Sequence, residues 1–257
     1  MRENGKLKPL ISVVIPAYNE ERYLLACLDS LKKQNFKGEY EIIIVDNNSD
    51  DNTKNIAENE KGVKVFCQSQ RGVCAARQTG TLEANGKIIV STDADCVFFP
   101  DWLSNIYNIF ENNKDIVAVI GPYEYVSSPL WGKILIKAVN GITALIYRLK
   151  NKVIYTPASN FAFKKEIWQE VRGYNTDLTQ SGDEYYLLNK LRKKGKVVYL
   201  KNNKVLTSSR RLQRGLIYNV FITFGFYYFF DYFIASRIGH SITGPYPAFR
   251  EEKIKKK

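Results

Sequence analysis

Short apolar runs alternate with segments of helical spacing along the chain up to residue 95. The β-branched runs that suit buried parallel strands are Ile11–Ile15, Glu41–Val45, Val63–Phe66 and Lys87–Ser91. Helices are predicted over Glu21–Lys33, from the polar turn 47–51 through Ile56, and over Val73–Asn85. Pro16 is expected to end the first strand, and Asn19 to cap the helix that follows. This order of elements predicts an α/β fold with right-handed crossovers and a mostly parallel central sheet flanked by helices.

The pattern changes beyond about residue 120. The elements predicted there are an extended segment at Ile154–Phe163, a helix at Lys165–Val171, a helix at Asp183–Lys194 and a strand at Val197–Leu200. Farther along, the chain is rich in aromatic and aliphatic residues, and it ends in the basic tail Lys253–Lys257. We therefore assign residues 1–211 to one α/β domain and residues 212–257 to a hydrophobic, helical C-terminal segment.

Polar clusters follow three of the predicted strands. They are Tyr18-Asn19-Glu20, Asp46 and Asp93-Ala94-Asp95. Ligands of such sheets bind beyond the carboxyl ends of the strands, where all three clusters fall. Because side chains alternate along an extended backbone, Asp93 and Asp95 should point to the same side, and two close carboxylates need a cation between them. Carboxylate and diphosphate oxygens suit Mg²⁺ or Mn²⁺, which would neutralise a departing nucleoside diphosphate.

The composition of the chain limits its expected binding partners and the catalytic mechanisms open to it. The 257 residues include 38 Lys+Arg and 26 Asp+Glu, a formal net charge of +12, so anionic partners such as nucleotides and phospholipid headgroups are expected. Nucleic acid is not an expected partner, because the aromatic residues cluster in apolar runs rather than beside Lys and Arg. Four cysteines without CxxC spacing and a single histidine argue against a zinc site and against Cys/His or Ser/His catalysis. Cysteines this sparse are typical of a cytosolic protein.

Ordered motifs extend from the first strand to beyond residue 190. They are Ile15–Glu20, Val45–Asp51, Arg71-Gly72, Ala75-Ala76-Arg77, Asp93-Ala94-Asp95, Ser159–Glu166, Gly173-Tyr174, Gly182-Asp183-Glu184 and Leu191–Gly195. In these motifs the chain resembles glycosyltransferase family 2, the inverting sugar transferases with the GT-A (Rossmann-like) fold, over about residues 10–211. The resemblance implies an enzyme that moves a sugar from a UDP- or GDP-linked donor to an acceptor hydroxyl or a polyprenyl phosphate, in glycan or glycolipid assembly. It also implies Mg²⁺ or Mn²⁺ as cofactor.

The resemblance implies a role for each matching position. The residues that would hold the ribose and base of the nucleotide sugar are Pro16, Ala17, Tyr18, Glu20 and Asp46. Asp46 would accept a hydrogen bond from a base N–H, and Arg77 would lie beside the base or the phosphates. Asp93 would contact the ribose or the metal, and Asp95 would bind the metal. Ser159 and Asn160 would contact the donor or acceptor sugar.

Asp183 and Glu184 are the candidates for the catalytic base. An inverting transfer is a single displacement, in which a carboxylate takes the proton of the attacking hydroxyl. Family members usually have Glu-Asp here with the Asp as base, whereas this chain has the reverse order. Counting back from Gly195 places Glu184 at the position of the family's Asp, which favours it, and Asp183 keeps the residue type. The alternative is a pair of acidic residues that complements the helix dipole.

The Gln-x-x-Arg-Trp motif of processive relatives is absent, and Thr207–Arg211 stands in its place. This resembles the Ser-x-Arg-Arg ending of small non-processive members, which implies that one sugar is added per encounter. Arg210 and Arg211 could clamp a diphosphate or an acceptor phosphate.

Two apolar segments bear on membrane association. Leu130–Leu149 has a broad apolar face bordered by lysines, which is typical of an interfacial helix. Leu216–Ala235 has about the 20 residues that a membrane span needs, but it contains Asn219, Gly225 and Asp231 and many tyrosines, so an interfacial position suits it better. These segments predict a monotopic or peripheral protein on the cytosolic face of an anionic membrane, acting on a lipid-linked acceptor. A buried helical hairpin or a dimer interface is the alternative, and the oligomeric state is left open.

Two other functions compete with sugar transfer. A sugar nucleotidyltransferase would need a Gly-rich phosphate loop after the first strand, and Ala17–Glu20 offers none. A non-enzymatic basic module that binds membrane or nucleic acid would tolerate Asp95→Ala, whereas a sugar transferase would lose nearly all turnover.

Overall fold

The structure is a computed structural model, and it describes residues 2–3, 6–153, 156–178, 183–219 and 221. The strands are β1 (Arg2–Glu3), β2 (Lys6–Leu7), β3 (Ile11–Ala17), β4 (Tyr40–Asp46), β5 (Val63–Cys67), β6 (Ile88–Ser91), β7 (Cys96–Phe98), β8 (Ile116–Ile120), β9 (Tyr123–Val126), β10 (Phe161–Lys164), β11 (Lys196–Tyr199) and β12 (Val205–Ser208). The α-helices are α1 (Leu24–Lys32), α2 (Thr53–Asn59), α3 (Val73–Glu83), α4 (Trp102–Asn112), α5 (Leu130–Lys150), α6 (Lys165–Glu170) and α7 (Asp183–Leu191). Short 3₁₀ helices form at Ala158–Asn160 and Arg210–Arg214.

Seven strands form the central sheet, in the order β11-β8-β10-β6-β3-β4-β5. Strands β6, β3, β4 and β5 are parallel to one another, and so are β8 and β11. β10 is antiparallel to both of its neighbours, β6 and β8. Six of the seven strands therefore run in one direction. The predicted α/β fold with a mostly parallel central sheet and flanking helices is confirmed.

The central sheet buries side chains on both faces. Val13 and Ile15 of β3 pack in a cluster to which α1 and α4 contribute. Val14, which lies between them in sequence, packs in a second cluster to which α3 and α7 contribute. Because both faces are covered by helices, a strand such as β3 must be apolar at successive positions, and this is the continuous run seen in the sequence.

Pro16 does not end the first strand, since β3 continues to Ala17. The carbonyl of Val14 accepts a hydrogen bond from the N–H of Thr92, on the side of β6. The carbonyl of Ala17 accepts one from the N–H of Asn47, on the side of β4. Pro16 therefore faces the side on which β6 has already ended, where its missing N–H breaks no bond of the sheet.

A second sheet of three strands, in the order β7-β12-β9, lies outside the predictions above. β12 is antiparallel to β7 and parallel to β9, so the sheet joins segments that are far apart in sequence. Its strands have three or four residues each, too few to show a period-two pattern. The predictions also omit α4 and β8, although β8 is an uninterrupted buried apolar run.

The predicted interfacial helix Leu130–Leu149 is α5, which extends one residue farther, to Lys150. By length and composition alone, it is the one helix in the described part of the chain that is long and apolar enough to cross a membrane. Gly132, Ile136 and Thr143 are buried on one side of it. Several of its large apolar side chains are exposed on the other side.

Most of the second predicted apolar segment, Leu216–Ala235, falls outside the described residues, and so does the basic tail. Of this segment, residues 216–219 and 221 are described. The division at residues 211 and 212 falls inside the 3₁₀ helix Arg210–Arg214. The assignment of two regions stays a prediction.

Candidate active site

The loops after β3 and β4 are joined by hydrogen bonds at the carboxyl edge of the sheet. Asn19 has φ of 55°, a left-handed conformation that Asn tolerates, and its Oδ1 accepts from the N–H of Asp50 at 2.9 Å. The N–H of Asn19 donates to Ser49 Oγ at 3.0 Å, and that of Glu20 donates to Thr53 Oγ1 at 2.7 Å. Asn19 therefore fastens two loops instead of capping α1, whose N-cap is Tyr23.

Asp46 ends β4 and presents an unused acceptor. Its side chain is buried, and Oδ2 accepts from the N–H of Ser49 at 3.3 Å. Oδ1 is also buried and has no hydrogen-bond partner. Because an unsatisfied buried acceptor is costly, this oxygen suits a ligand that brings an N–H or O–H. Tyr18, from the loop after β3, stacks with the guanidinium of Arg71 at 5.5 Å from the ring centroid.

Asp93 and Asp95 follow β6, as predicted, and their carboxylates lie close together. One ligand atom from each of Asp93, Asp95 and Cys96 falls within 4.8 Å of the others. Thr207 of β12 donates its hydroxyl to Asp95 Oδ1 at 3.3 Å, so the second sheet supports this carboxylate. The predicted site does not include Cys96, because the spacing between cysteines gives no indication of it. Its position next to Asp95 in the sequence is the feature that indicates it.

Arg210 is buried against the acidic cluster. Its guanidinium donates to both carboxylate oxygens of Glu20, each at 2.7 Å, and lies 3.1 Å from Asp95 Oδ2. Its Cζ lies 5.1 Å from the ring centroid of Tyr23. Glu20 and Arg210 are 190 residues apart in sequence, and the fold brings them together with Asp95. In this arrangement Arg210 binds carboxylates, whereas its neighbour Arg211 is exposed.

Arg77 makes a second buried bridge. It lies on α3 and is 2% exposed. Nη2 donates to Asp93 Oδ1 at 2.8 Å, and Nη1 donates to Glu184 Oε1. Glu184 is buried near the start of α7. The side chain of Asp183 and the whole of Gly182 lie outside the described residues.

The acidic side chains disturb one another electrostatically. Burial raises the pKa of Asp95 to about 6, with Arg210 opposing the shift and the charges of Glu20 and Asp93 adding to it. Burial also raises the pKa of the Cys96 thiol, with the charges of Asp95 and Asp93 acting in the same direction. Cys96 is therefore a neutral thiol beside two carboxylates.

A divalent cation fits this set of residues. Four carboxylates, those of Glu20, Asp93, Asp95 and Glu184, lie around the two buried guanidiniums of Arg77 and Arg210. Burial raises the pKa of Asp95 and the charges of Glu20 and Asp93 add to the shift, so a cation held here would favour the ionised carboxylate. Carboxylate oxygens are ligands that Mg²⁺ and Mn²⁺ prefer. Asp93 and Asp95 are the residues placed to hold it.

Asn160 and Ser159 lie in the 3₁₀ helix before β10 and are buried. The Asn160 amide nitrogen donates to the carbonyls of Pro122 and Asn203, at 2.9 and 2.6 Å. Its oxygen accepts from Trp102 Nε1 at 3.1 Å. The carboxamide thus joins three parts of the chain, and contact of Asn160 or Ser159 with a sugar stays a prediction.

Comparison with known proteins places the chain in a family. The model of glycosyl transferase family 2 matches residues 12–172. Glycosyltransferase AglE of Haloferax volcanii is 37% identical over 101 residues, which make up 37% of this chain and 33% of that protein. The glucosyl-dolichyl phosphate glucuronosyltransferase of the same organism is 26% identical over 190 residues, 68% of this chain and 59% of that protein. The matched regions thus span between about one third and three fifths of these relatives.

Solved structures share the fold. TarS 1–349 from S. aureus has a TM-score of 0.64 at 21% identity, covering 77% of this chain and 60% of that one. Mannosyltransferase PcManGT from Pyrobaculum calidifontis, in complex with GDP-Man and Mn²⁺, has a TM-score of 0.63 at 21% identity, covering 79% and 57%. TarS has also been solved with UDP and with UDP-GlcNAc. The resemblance, the GT-A fold and the expectation of an enzyme of this kind are confirmed.

Proposed function

The chain belongs to glycosyltransferase family 2, and we propose that it transfers a sugar from a UDP- or GDP-linked donor to an acceptor with inversion at the anomeric carbon. The observation that carries this proposal is the bridge from Asp93, beside Asp95, through Arg77 to Glu184. This bridge joins the residues that we propose for the donor diphosphate to the residue that we propose for the acceptor.

Asp46 is the evidence for the proposed binding of a nucleotide-sugar donor. Its unpartnered Oδ1 is suited to accept from a base N–H, and both uracil and guanine carry one. Two fold neighbours bind donors of these two kinds, TarS with UDP-GlcNAc and the Pyrobaculum enzyme with GDP-Man. Pro16, Ala17, Tyr18 and Glu20 stay proposed as further contacts to the nucleotide.

The cofactor we propose is Mg²⁺ or Mn²⁺, held by Asp93 and Asp95. When bound, such an ion acts as a Lewis acid on the diphosphate leaving group. Arg77 holds the carboxylate of Asp93, and Arg210 holds that of Asp95. Arg211 is exposed beside this cluster and is proposed to bind a phosphate of the donor or the acceptor.

Glu184 is the base that we favour, and Asp183 is the other candidate. The contact of buried Glu184 with Arg77, which also holds Asp93, supports this role, in which the carboxylate would take the proton of an attacking hydroxyl. A phosphate acceptor is already largely ionised near neutral pH, since its second pKa is about 6. The need for a base therefore differs between the two classes of acceptor.

For the acceptor we propose a glycan hydroxyl or a polyprenyl phosphate, receiving one sugar per encounter. A relative is named for action on a glucosyl-dolichyl phosphate. We also propose that the protein works at the cytosolic face of an anionic membrane, as a peripheral or monotopic protein. The net charge of +12 supports this location, because basic surfaces are attracted to anionic headgroups.

Thermal unfolding of the full chain with UDP or GDP, with and without Mn²⁺, tests the proposal. A nucleotide present at about 100 times its Kd should stabilise the fold by about 2.7 kcal/mol. We expect this shift with one nucleotide and Mn²⁺ together, and a much smaller one with either alone. If neither nucleotide stabilises the protein in Mn²⁺, the proposed donor is wrong. UMP and GMP, which keep the base but lack a diphosphate, are the matched controls.

A further inference from the structure

We propose that the outer face of α5 docks the protein onto an anionic lipid bilayer. We define the docking surface as Leu130, Ile134, Ile142, Leu145 and Leu149. The inference deepens the membrane location given under the proposed function and rests on it.

The docking surface exposes an unusual amount of apolar side chain. Leu130, Ile134 and Leu149 are 74%, 61% and 69% exposed, and Ile142 and Leu145 are more than half exposed. Single exposed apolar residues are ordinary, but a row of them along one helix marks an interaction site.

The opposite side of α5 is fastened to the protein. Gly132, Ile136 and Thr143 are buried there, and Asn140 donates to the carbonyl of Tyr123 in β9 at 2.8 Å. A helix held along one side in this way can present only its other side to lipid. It therefore suits a position in the plane of the membrane surface better than a span through it.

The positive charge of α5 favours an anionic bilayer, rather than a second copy of the chain, as the partner of the docking surface. Lys133, Lys137 and Arg148 are exposed on α5, and the helix contains no Asp or Glu. Anionic headgroups would neutralise these cations. Two copies of the same basic face would instead repel each other.

The buried side of α5 contacts the elements that carry the metal end of the site. β9, which α5 covers, pairs with β12, and Thr207 of β12 donates to Asp95. A Cβ on Gly132 would lie 2.5 Å from Leu212 Cδ1, so this glycine lets α5 pack against the turn that carries Arg210. Docking through the outer face therefore leaves these contacts in place.

Flotation of the full chain with vesicles tests the docking surface. Wild type should float with phosphatidylglycerol–phosphatidylcholine vesicles, and less with phosphatidylcholine alone. The double variant Ile134→Asp/Leu145→Asp should reduce flotation about tenfold or more, since it places charge where apolar contact is needed. Leu82→Asp is the matched control, because Leu82 is 58% exposed on α3, outside the docking surface, and this variant should float like wild type.

Two further measurements separate the possible outcomes. Nucleotide binding with Mn²⁺ should be the same in the double variant and in wild type, so loss of docking is distinct from failure of the donor site. Light scattering reports the oligomeric state. Wild type that stays with the soluble fraction at moderate salt would overturn the proposal, and so would a wild-type dimer that the double variant converts to a monomer.

Discussion

Arg77 ties Glu184 to Asp93 through one buried guanidinium. Nη1 donates to Glu184 and Nη2 donates to Asp93 at 2.8 Å, although Arg77 and Glu184 are 107 residues apart in sequence. The proposed base and the proposed metal ligand are thus held by the same side chain. Since a guanidinium donates along fixed directions, it orients both carboxylates at once.

Arg77 should act on turnover through the position of Glu184. We expect Arg77→Gln to lower kcat roughly a hundredfold, the lower end of what a general base contributes, with the nucleotide Kd in Mn²⁺ little changed. Arg77→Lys keeps the charge and should recover part of the loss. Because breaking a buried ion pair costs about 3–5 kcal/mol, thermal unfolding of both variants is needed alongside the kinetics. A Kd that rises in step with the fall in kcat would show that Arg77 contacts the nucleotide instead.

Glu184→Gln and Asp183→Asn separate the two candidates for the base. With a hydroxyl acceptor, Glu184→Gln should lower kcat by about 10²–10⁴, and Asp183→Asn should lower it far less. With a polyprenyl phosphate acceptor the effect of Glu184→Gln should shrink, because the phosphate needs no proton removed. Initial rates with both acceptor classes test this. A larger loss for Asp183→Asn than for Glu184→Gln would reverse the assignment.

Cation binding should weaken in acid. Burial and neighbouring carboxylates raise the pKa of Asp95 to about 6, so below this pH the side chain holds a proton that a cation must displace. The affinity for Mn²⁺ with bound nucleotide should therefore fall by up to about tenfold per unit below pH 6. Calorimetry at pH 5 and 7.5, in buffers of different ionisation enthalpy, measures both the affinity and the proton release. Equal affinity at the two pH values would contradict the prediction.

Asp46→Asn should weaken nucleotide binding without destabilising the fold. The amide keeps an oxygen for the N–H of Ser49 but replaces one carboxylate acceptor with a donor, so a base N–H loses its partner. Losing a hydrogen bond to a charged group costs about 1.5–3 kcal/mol, which corresponds to a rise in Kd of roughly 10- to 100-fold. Calorimetric titration with UDP or GDP tests this, with thermal unfolding of the free protein as control. An unchanged Kd would remove Asp46 from the donor site.

Asn160 should contribute to the stability of the fold, whether or not it contacts a sugar. Asn160→Ala removes the hydrogen bonds that Trp102 Nε1 and the Asn203 carbonyl make with the amide, whereas the Pro122 carbonyl keeps the N–H of Val205. Since each lost buried partner costs about 1–3 kcal/mol, the free energy of unfolding should fall by roughly 2 kcal/mol or more. Ser159→Ala is the neighbouring control and should change stability little. Denaturant unfolding measures both, and an unaltered midpoint for Asn160→Ala would contradict the structural role.

The sequence alone determined the alternation of strands and helices in the first half, the mostly parallel sheet and the family. Val14 and its neighbours in β3 are buried on both faces, and such burial leaves a continuous apolar run that is visible without coordinates. The predicted polar residues also lie at strand ends, because parallel strands bring their carboxyl ends to one edge. These features depend on local order, which sequence patterns report.

The pairing of the charged groups depends on the three-dimensional path of the chain. Arg77 with Glu184 and Glu20 with Arg210 are separated by 107 and 190 residues, and nothing in the local pattern states which carboxylate each arginine meets. The same holds for the reversed direction of β10 and for the sheet β7-β12-β9, whose short strands find partners far along the chain. Hydrophobic periodicity indicates which residues are buried. The residue that each of them contacts depends on how the whole chain folds.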